Sequence, residues 1–222
     1  MKKSTQLAEA LGPDGQKFTL FERDGEYTIR VGGLDLMSTR QHASEEKLAQ
    51  LACAHIAVAA EARVLVGGLG FGFTLQAALG ALAPSAKVVV AELTAAIVEW
   101  NRNPQYQLAG AALADPRVEV VVCDVGDLVK RHPGSFDAII LDVDNGPEAL
   151  SAPANAELYH RTGLLLTKAA LRAGGCVGYW SAAPDKGFAK LLERVGYRVE
   201  VHTARAHGTS GSWHTLFLGW RV

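Results

Sequence analysis

Several features that mark particular protein classes are scarce in these 222 residues. The chain has three cysteines, at positions 53, 123 and 176, and this spacing fits neither a disulfide framework nor a C-x-x-C metal knuckle. No apolar run approaches the roughly 18 residues of a membrane span. The first residues, MKKSTQLAEALGPDG, lack the apolar core of a signal peptide. We therefore expect a cytoplasmic protein whose cysteines are small buried hydrophobes.

The charge balance of the chain does not indicate a nucleic acid or a membrane as a partner. Lys and Arg total 22 and Asp and Glu total 23, so the formal net charge is −1. Such a chain offers no electrostatic attraction for nucleic acid or for an anionic membrane, and we expect neither as a partner. We expect no metal site from its seven histidines. What is present is an ordinary globular composition, 49% apolar and 20% charged, with enough residues for a sizeable core.

The N-terminal region has a strand pattern of its own. Two short alternating runs are joined by Asp24-Gly25, which is a hairpin signal, and a third run follows Gly32-Gly33. We predict a small antiparallel β region over residues 1–43. A helix is predicted next, with Ser44 as its N-cap, and the run Glu45-Glu46-Lys47 is interpreted as a solvated helix face.

From residue 44 to residue 222, strand and helix patterns alternate. Continuous apolar runs such as VEVVVC and DAIIL predict strands buried on both faces, as in a parallel sheet covered by helices. The last two strands are joined by the loop AHGTSGS without a helix, so they form an antiparallel pair. This order of elements resembles the Rossmann-like arrangement of methyltransferases, so we expect an α/β fold with a mostly parallel sheet and a C-terminal antiparallel strand. The predicted strands are 64–66, 88–92, 118–123, 136–142, 175–180, 197–203 and 214–222, and the predicted helices are 74–82, 94–102, 125–131, 155–173 and 186–195.

The segment VLVGGLGFGFTL, residues 64–75, is typical of a buried strand that turns tightly into a helix. Glycines at such a turn let a ligand approach the backbone closely. The dinucleotide fingerprint G-x-G-x-x-G is not completed, because counting from Gly68 and Gly70 the third position is Phe73. The phosphate-binding pattern G-x-x-x-x-G-K-[ST] is also absent. The turn therefore suits a nucleoside without phosphate, such as S-adenosylmethionine or its decarboxylated form.

Acidic residues follow the next strands, at the sheet edge where α/β proteins bind ligands. Glu92, about 20 residues beyond the turn, is placed to accept hydrogen bonds from ribose hydroxyls. Asp124 follows the third strand, and Asp142 and Asp144 follow the fourth. Alternative roles stay open: Glu92 as an acid at a helix N-terminus, Asp124 as an N-cap, and Asp144 as a turn residue.

Polar residues near the later strands are further candidates. Tyr179, Trp180 and Ser181 end the fifth strand, where they either line an acceptor pocket or pack in the core. His207 and His214 flank the last loop and are either catalytic or structural.

These motifs resemble the spermidine synthase family, the polyamine aminopropyltransferases, within the class I S-adenosylmethionine-dependent methyltransferase superfamily. The resemblance covers nearly the whole chain. It includes the N-terminal hairpin region, the glycine turn, EL-T at 92–94, CDVGD at 123–127, FDAIILDVDNGP at 136–147, LYHRTGLLLTKAALRAGG at 158–175 and WHTLFLG at 213–219.

The resemblance implies a role for each candidate residue of the site. The glycines Gly67, Gly68 and Gly70 would line the donor, Glu92 would hold its ribose, and Asp124 with Val125 would lie near the adenine. Asp142 would accept a proton from the acceptor, and Asp144 would help to hold a cationic acceptor by its charge.

The implied function is that of a transferase. It would bind S-adenosylmethionine or its decarboxylated form through a catalytic domain over residues 44–222. It would transfer an aminopropyl or methyl group to a small, amine acceptor without a metal, and a homodimer is expected. Where the family has an aspartate that holds the amine end of the donor, this chain has Phe71. Two alternatives therefore stay open: a methyltransferase with a non-polyamine acceptor, and a non-catalytic nucleoside-binding relative.

Overall fold

The N-terminal part of the computed structural model, which describes residues 4–106, 108–143 and 157–222, is a four-stranded antiparallel sheet. Its strands pair in sequence order, and Asp24 and Gly25 form the turn between the second and third strands with positive φ values of 56° and 82°. The predicted hairpin and third run are confirmed, but the first strand was missed in the sequence. The strands are β1 (Thr5–Leu11), β2 (Lys17–Arg23), β3 (Glu26–Val31) and β4 (Leu34–Ser38).

The rest of the chain forms a seven-stranded sheet in the order β10-β11-β9-β8-β5-β6-β7. From β9 through β8, β5 and β6 to β7, each strand is parallel to the next, whereas β11 runs antiparallel to both β9 and β10. The predicted α/β fold is confirmed. The strands are β5 (Arg63–Gly67), β6 (Lys87–Glu92), β7 (Val118–Val122), β8 (Phe136–Leu141), β9 (Leu171–Ser181), β10 (Tyr197–Arg205) and β11 (Trp213–Arg221).

Helices cover both faces of this sheet because alternate strand residues point to opposite sides. The helices are α1 (Ala43–Cys53), α2 (Phe73–Ala81), α3 (Ala95–Arg102), α4 (Gly110–Leu113), α5 (Val125–Arg131), α6 (Arg161–Ala170) and α7 (Lys186–Arg194), with a 3₁₀ turn at Ala54–Ile56. Val64 and Val66 belong to one apolar cluster, which also contains residues of the N-terminal sheet and of α1 to α3. Leu65 belongs to the other cluster, on the opposite face, with residues of α5 to α7. None of the helices described reaches the length and apolar character needed to span a membrane.

Three local predictions were wrong. The helix predicted to continue to residue 173 ends at Ala170, because Leu171 pairs with Phe136 of β8 and opens strand β9. Helix α1 begins at Ala43 with His42 as its N-cap residue, and Ser44 is a buried residue inside the helix. Strand β7 is an edge strand rather than a fully buried one, so Val122 is 53% exposed. The boundary between residues 43 and 44 as a domain boundary stays a prediction.

Candidate functional site

The glycine turn between β5 and α2 is hydrogen-bonded to the ends of β6 and β8. Gly68 has φ of +84°, and a Cβ at this residue would lie 2.5 Å from the carbonyl oxygen of Asp142. The Gly68 N–H donates to the Ala91 carbonyl at 2.9 Å, and the Asp142 N–H donates to the Gly67 carbonyl at 3.0 Å. The turn is therefore built against the ends of β6 and β8, at the point where the chain crosses from one half of the sheet to the other.

Glu92, the last residue of β6, ties this turn to the start of α3. It is 6% exposed, and its Oε2 accepts the Leu69 N–H while its Oε1 accepts the Thr94 N–H, both at 2.8 Å. Burial raises the pKa of Glu92, and these backbone donors oppose the rise. The backbone N–H groups of Gly70 and Leu93 also act on this carboxylate and oppose the rise in its pKa. Glu92 therefore orders the turn and also lines the cavity beside it.

Asp124 caps helix α5, as the alternative prediction proposed. Its Oδ1 accepts the N–H groups of Gly126 and Asp127 at 2.6 and 3.3 Å. Its Oδ2 makes no hydrogen bond to the described residues, and Asp124 also lines the cavity beside the turn. Capping and ligand binding are compatible here because they use different oxygens.

The larger cavity at this edge of the sheet has a volume of about 340 Å³. Part of its wall comes from the N-terminal sheet region, through Phe18, Leu36 and Met37. Gly67 does not line it, because this residue is buried against Leu141 and Val125. The other predicted donor-site residues do line it, together with Asp142: Gly68, Gly70, Glu92, Asp124 and Val125. Cys123 lines it too and is only partly buried, contrary to the expectation of a fully buried hydrophobe.

Asp142 follows β8 directly and borders this cavity. Its Oδ2 accepts a hydrogen bond from Thr74 Oγ1 at 2.8 Å. Burial raises the pKa of Asp142 to about 6, although the Thr74 hydroxyl opposes the rise. A carboxylate with this pKa can accept a proton near neutral pH. Asp144, the second predicted catalytic residue, lies outside the described residues.

A smaller cavity of about 80 Å³ adjoins the larger one. The two share Leu36, Met37, Gly70, Asp142 and Val143 as wall residues. Trp180 lines this second cavity, whereas Tyr179 and Ser181 do not. Tyr179 packs instead among Tyr159 and Phe188, and the Ser181 hydroxyl donates to the Ala183 carbonyl.

Ser44 and His214 hold Trp180 in place. The Trp180 indole N–H donates to Ser44 Oγ at 3.0 Å, and Ser44 Oγ lies 2.9 Å from His214 Nδ1. The His214 ring packs edge-on against Trp180, with 4.6 Å between the ring centroids. His214 thus has a structural role beside the cavity. His207 is among the wall residues of neither cavity.

Glu45 is the residue of this site that sequence analysis missed. It lines the smaller cavity, and its Oε2 is buried without a hydrogen-bond partner in the described part of the chain. Burial raises the pKa of Glu45 to about 9, and the Asp142 and Glu46 carboxylates contribute to the rise. The interpretation of this residue as part of a solvated face was wrong. Helical spacing from Leu48, Ala49 and Ala52, all fully buried, could have placed Glu45 on the inner face.

Comparisons with known proteins agree with this fold. In sequence, the chain is 32% identical over 164 residues to polyamine aminopropyltransferase 2 of Pseudomonas aeruginosa, a match that covers 69% of this chain and 45% of the relative. The chain therefore spans about half the length of that curated relative. No family model matches.

Solved spermidine synthase structures share the architecture along almost the whole chain. The enzyme from Thermotoga maritima superposes with a TM-score of 0.77 at 20% identity, over 98% of this chain and 73% of that one. A spermidine synthase in complex with the transition state analogue AdoDATO gives 0.76 at 18% identity, over 98% and 72%. A probable spermidine synthase from Corynebacterium glutamicum gives 0.67 at 16% identity, over 100% and 81%. The resemblance seen in the sequence motifs is confirmed.

Proposed function

We propose that this chain, which is a spermidine synthase-like protein, transfers an aminopropyl group from decarboxylated S-adenosylmethionine to a small primary amine. Its relatives, an aminopropyltransferase and spermidine synthases, support this reaction class. The observation that carries the proposal is the position of Asp142. This carboxylate borders both the larger and the smaller cavity, so a donor in one and an acceptor in the other would meet beside it.

The donor nucleoside fits the larger cavity by its hydrogen-bonding chemistry. Ribose hydroxyls are hydrogen-bond donors, and the carboxylate of Glu92, which lines this cavity, is an acceptor. The adenine amino group is also a donor, and Oδ2 of Asp124 is free of partners among the described residues. Gly70, with φ of +51°, lines both cavities, and a Cβ at this residue would lie 3.0 Å from Met37 Sδ, so a larger residue would narrow the junction.

The chemistry is a displacement at the carbon next to a sulfonium. An amine enters as an ammonium ion and transfers a proton to the Asp142 carboxylate. The nitrogen lone pair then forms a C–N bond, the C–S bond breaks, and its electron pair stays on sulfur. The neutral thioether methylthioadenosine leaves. The protein contributes alignment of the two reactants and a base whose pKa is raised by burial to about 6.

The test is the substitution Asp142→Asn. Turnover, measured as methylthioadenosine released from decarboxylated S-adenosylmethionine and 1,4-diaminobutane, should fall about 100-fold or more because the proton acceptor is lost. The affinity for methylthioadenosine, measured by calorimetry, should stay unchanged. Wild-type turnover in the variant would contradict the role of Asp142. Failure of the wild type to bind methylthioadenosine or either sulfonium donor would contradict the donor site itself.

Phe71 favours one second candidate, a methyltransferase that uses S-adenosylmethionine. This residue is 4% exposed and apolar, so the turn supplies no carboxylate at that position to hold the amine end of a decarboxylated donor. The two reactions leave different thioethers. Methyl transfer yields S-adenosylhomocysteine, whereas aminopropyl transfer yields methylthioadenosine, and chromatography separates them.

We also expect a homodimer, which light scattering on the purified protein would test.

A further inference from the structure

Strand β10 is an open edge of the seven-stranded sheet. Among the described residues it pairs only with β11, through all nine of its residues from Tyr197 to Arg205. An open edge presents a row of backbone N–H and C=O groups that can pair with another strand. The opposite edge strand, β7, has five residues, so β10 offers the longer row of such groups to a partner.

The face of β10 that packs on α7 is covered along only part of the strand. Alternate residues of a strand point to the same face, so Tyr197, Val199 and Val201 share it. Tyr197 is 4% exposed in the apolar cluster that contains α7, and Val199 packs against this cluster, whereas Val201 is 53% exposed. Trp213, which faces Arg205 from β11, is 56% exposed at the end of the uncovered part. The middle of the edge strand therefore presents an uncovered apolar side chain.

The other face of β10 carries both signs of charge at alternate positions. Arg198, Glu200 and His202 follow one another on this face. The Glu200 carboxylate pairs with Arg198 at 2.5 Å and lies 3.5 Å from His202 Nε2. The Glu200 and His202 side chains are each 38% exposed, so both can also contact a group beyond the edge. An acidic and a basic residue thus flank Val201, one on each side.

We propose that β10 pairs with β10 of a second copy of this chain, antiparallel and about a two-fold axis at Val201. With the axis there, Glu200 faces His202 of the second copy, the two Val201 side chains cover each other, and all nine residues of each strand have a partner. An axis at Glu200 would place two glutamates opposite each other, and like charges directly opposite destabilise a strand pair. The axis at Val201 is therefore the register that the charges favour.

This interface is separate from the proposed reaction. No residue of β10 lines either cavity, so the pairing neither uses nor blocks the site. The tests of the interface accordingly need no donor or acceptor, and they stand whether or not the proposed function does.

Cross-linking tests the register. Directly facing residues of antiparallel strands have Cα atoms about 4.5–5.5 Å apart, a distance that a disulfide spans. In Val201→Cys the two thiols meet at the axis, and glutathione disulfide, which accepts the two electrons, should convert most of the protein into a covalent dimer on a non-reducing gel. Thr203→Cys is the matched control on the same face, because the axis separates its two copies by four residues, about 13 Å along the strand. It should not cross-link, and neither should the wild type.

A second pair of variants tests the interface without oxidation. Val201→Asp places two carboxylates opposite each other at the axis and removes the apolar contact. The dissociation constant of the dimer, measured by analytical ultracentrifugation, should rise about tenfold or more. Val122→Asp makes the same change on the other edge strand, at a valine that is also 53% exposed, and should leave the dissociation constant unchanged. Thermal unfolding shows whether each variant is folded.

A wild-type chain that is monomeric at every soluble concentration would overturn the inference. A dimer that Val201→Asp leaves intact, or that Val122→Asp dissociates, would overturn it too, because the contact would then lie elsewhere. Cross-linking of Thr203→Cys as complete as that of Val201→Cys would contradict the axis at Val201. Methylthioadenosine should bind Val201→Asp as it binds the wild type, and a failure of both to bind it would count against the proposed function alone.

Discussion

Replacing Thr74 by valine should move the acidic limb of the pH–activity profile to higher pH. Thr74 Oγ1 donates to Asp142 Oδ2 at 2.8 Å, and this bond stabilises the charged form of the carboxylate. Valine has the same shape without the hydroxyl, and Thr74 is only 3% exposed, so the main change is the loss of one donor. With burial unopposed, the pKa of Asp142 should rise above its present value of about 6.

The size of the shift follows from the strength of the bond. A hydrogen bond to a charged group contributes about 1.5–3 kcal/mol, and one pKa unit corresponds to about 1.4 kcal/mol, so the pKa should rise by about one to two units. At pH 6.5 the ionised fraction of Asp142 would fall from roughly three quarters to between about 3% and 25%, a loss of activity of about 3- to 25-fold. Above pH 9 the carboxylate is ionised in both proteins, and the rates should converge.

The assay is kcat/KM for methylthioadenosine release, measured from pH 5 to pH 9.5 on the wild type, Thr74→Val and Thr74→Ser. Serine keeps a hydroxyl at this position, so its profile should stay close to that of the wild type. An acidic limb of Thr74→Val that coincides with the wild-type limb would refute the assignment of Asp142 as the base. A uniform loss at every pH would point to displaced packing rather than to a changed pKa.

Two further predictions concern stability. Because the pKa of Glu45 is raised from 4.5 to about 9 by folding, its contribution is fully present below pH 4.5 and is lost as pH rises toward 9. Between pH 7 and pH 8.5, the free energy of unfolding of the wild type, measured with urea, should fall by up to about 1.4 kcal/mol per pH unit because of Glu45. Glu45→Gln should remove that part of the slope. An unchanged slope would contradict the burial of this carboxyl group. Asp124→Ala removes the acceptor of two N–H groups at the start of α5 and should lower the free energy of unfolding by about 0.5–2 kcal/mol. Asp127→Ala, in the same first turn, is the control, and a larger loss there would contradict the capping role of Asp124.

The site residues at the strand ends and in the glycine turn could be predicted because the sequence patterns that mark them are local. A buried parallel strand gives a short apolar run, and the residue that ends it lies at the ligand-binding edge of the sheet. Glu92, Asp124 and Asp142 were found in this way, and Gly68 and Gly70 were found from the turn between β5 and α2. The structure brings all five to the larger cavity.

The smaller cavity could not be predicted in the same way because it depends on tertiary packing. Its wall combines α1, the β4 residues Leu36 and Met37, and the end of β9 at Trp180. Charged residues at the start of a helix are usually solvated, so the run beginning with Glu45 gave no local sign of burial. Ser44 was misread for the same reason: a serine near a helix start is a common N-cap, but here its hydroxyl binds Trp180.

The carboxylate at Glu45 and the phenylalanine at Phe71 are best understood together. Both residues line the smaller cavity, Glu45 from α1 and Phe71 from the glycine turn. An aspartate at position 71 would place a third carboxylate beside Glu45 and Asp142, and like charges in so small a space oppose ionisation of one another. One ammonium ion can compensate two carboxylates more readily than three. Phe71 therefore leaves the smaller cavity with two carboxyl groups among the described residues, those of Glu45 and Asp142, and Glu45 supplies from the helix a carboxyl group that the turn lacks.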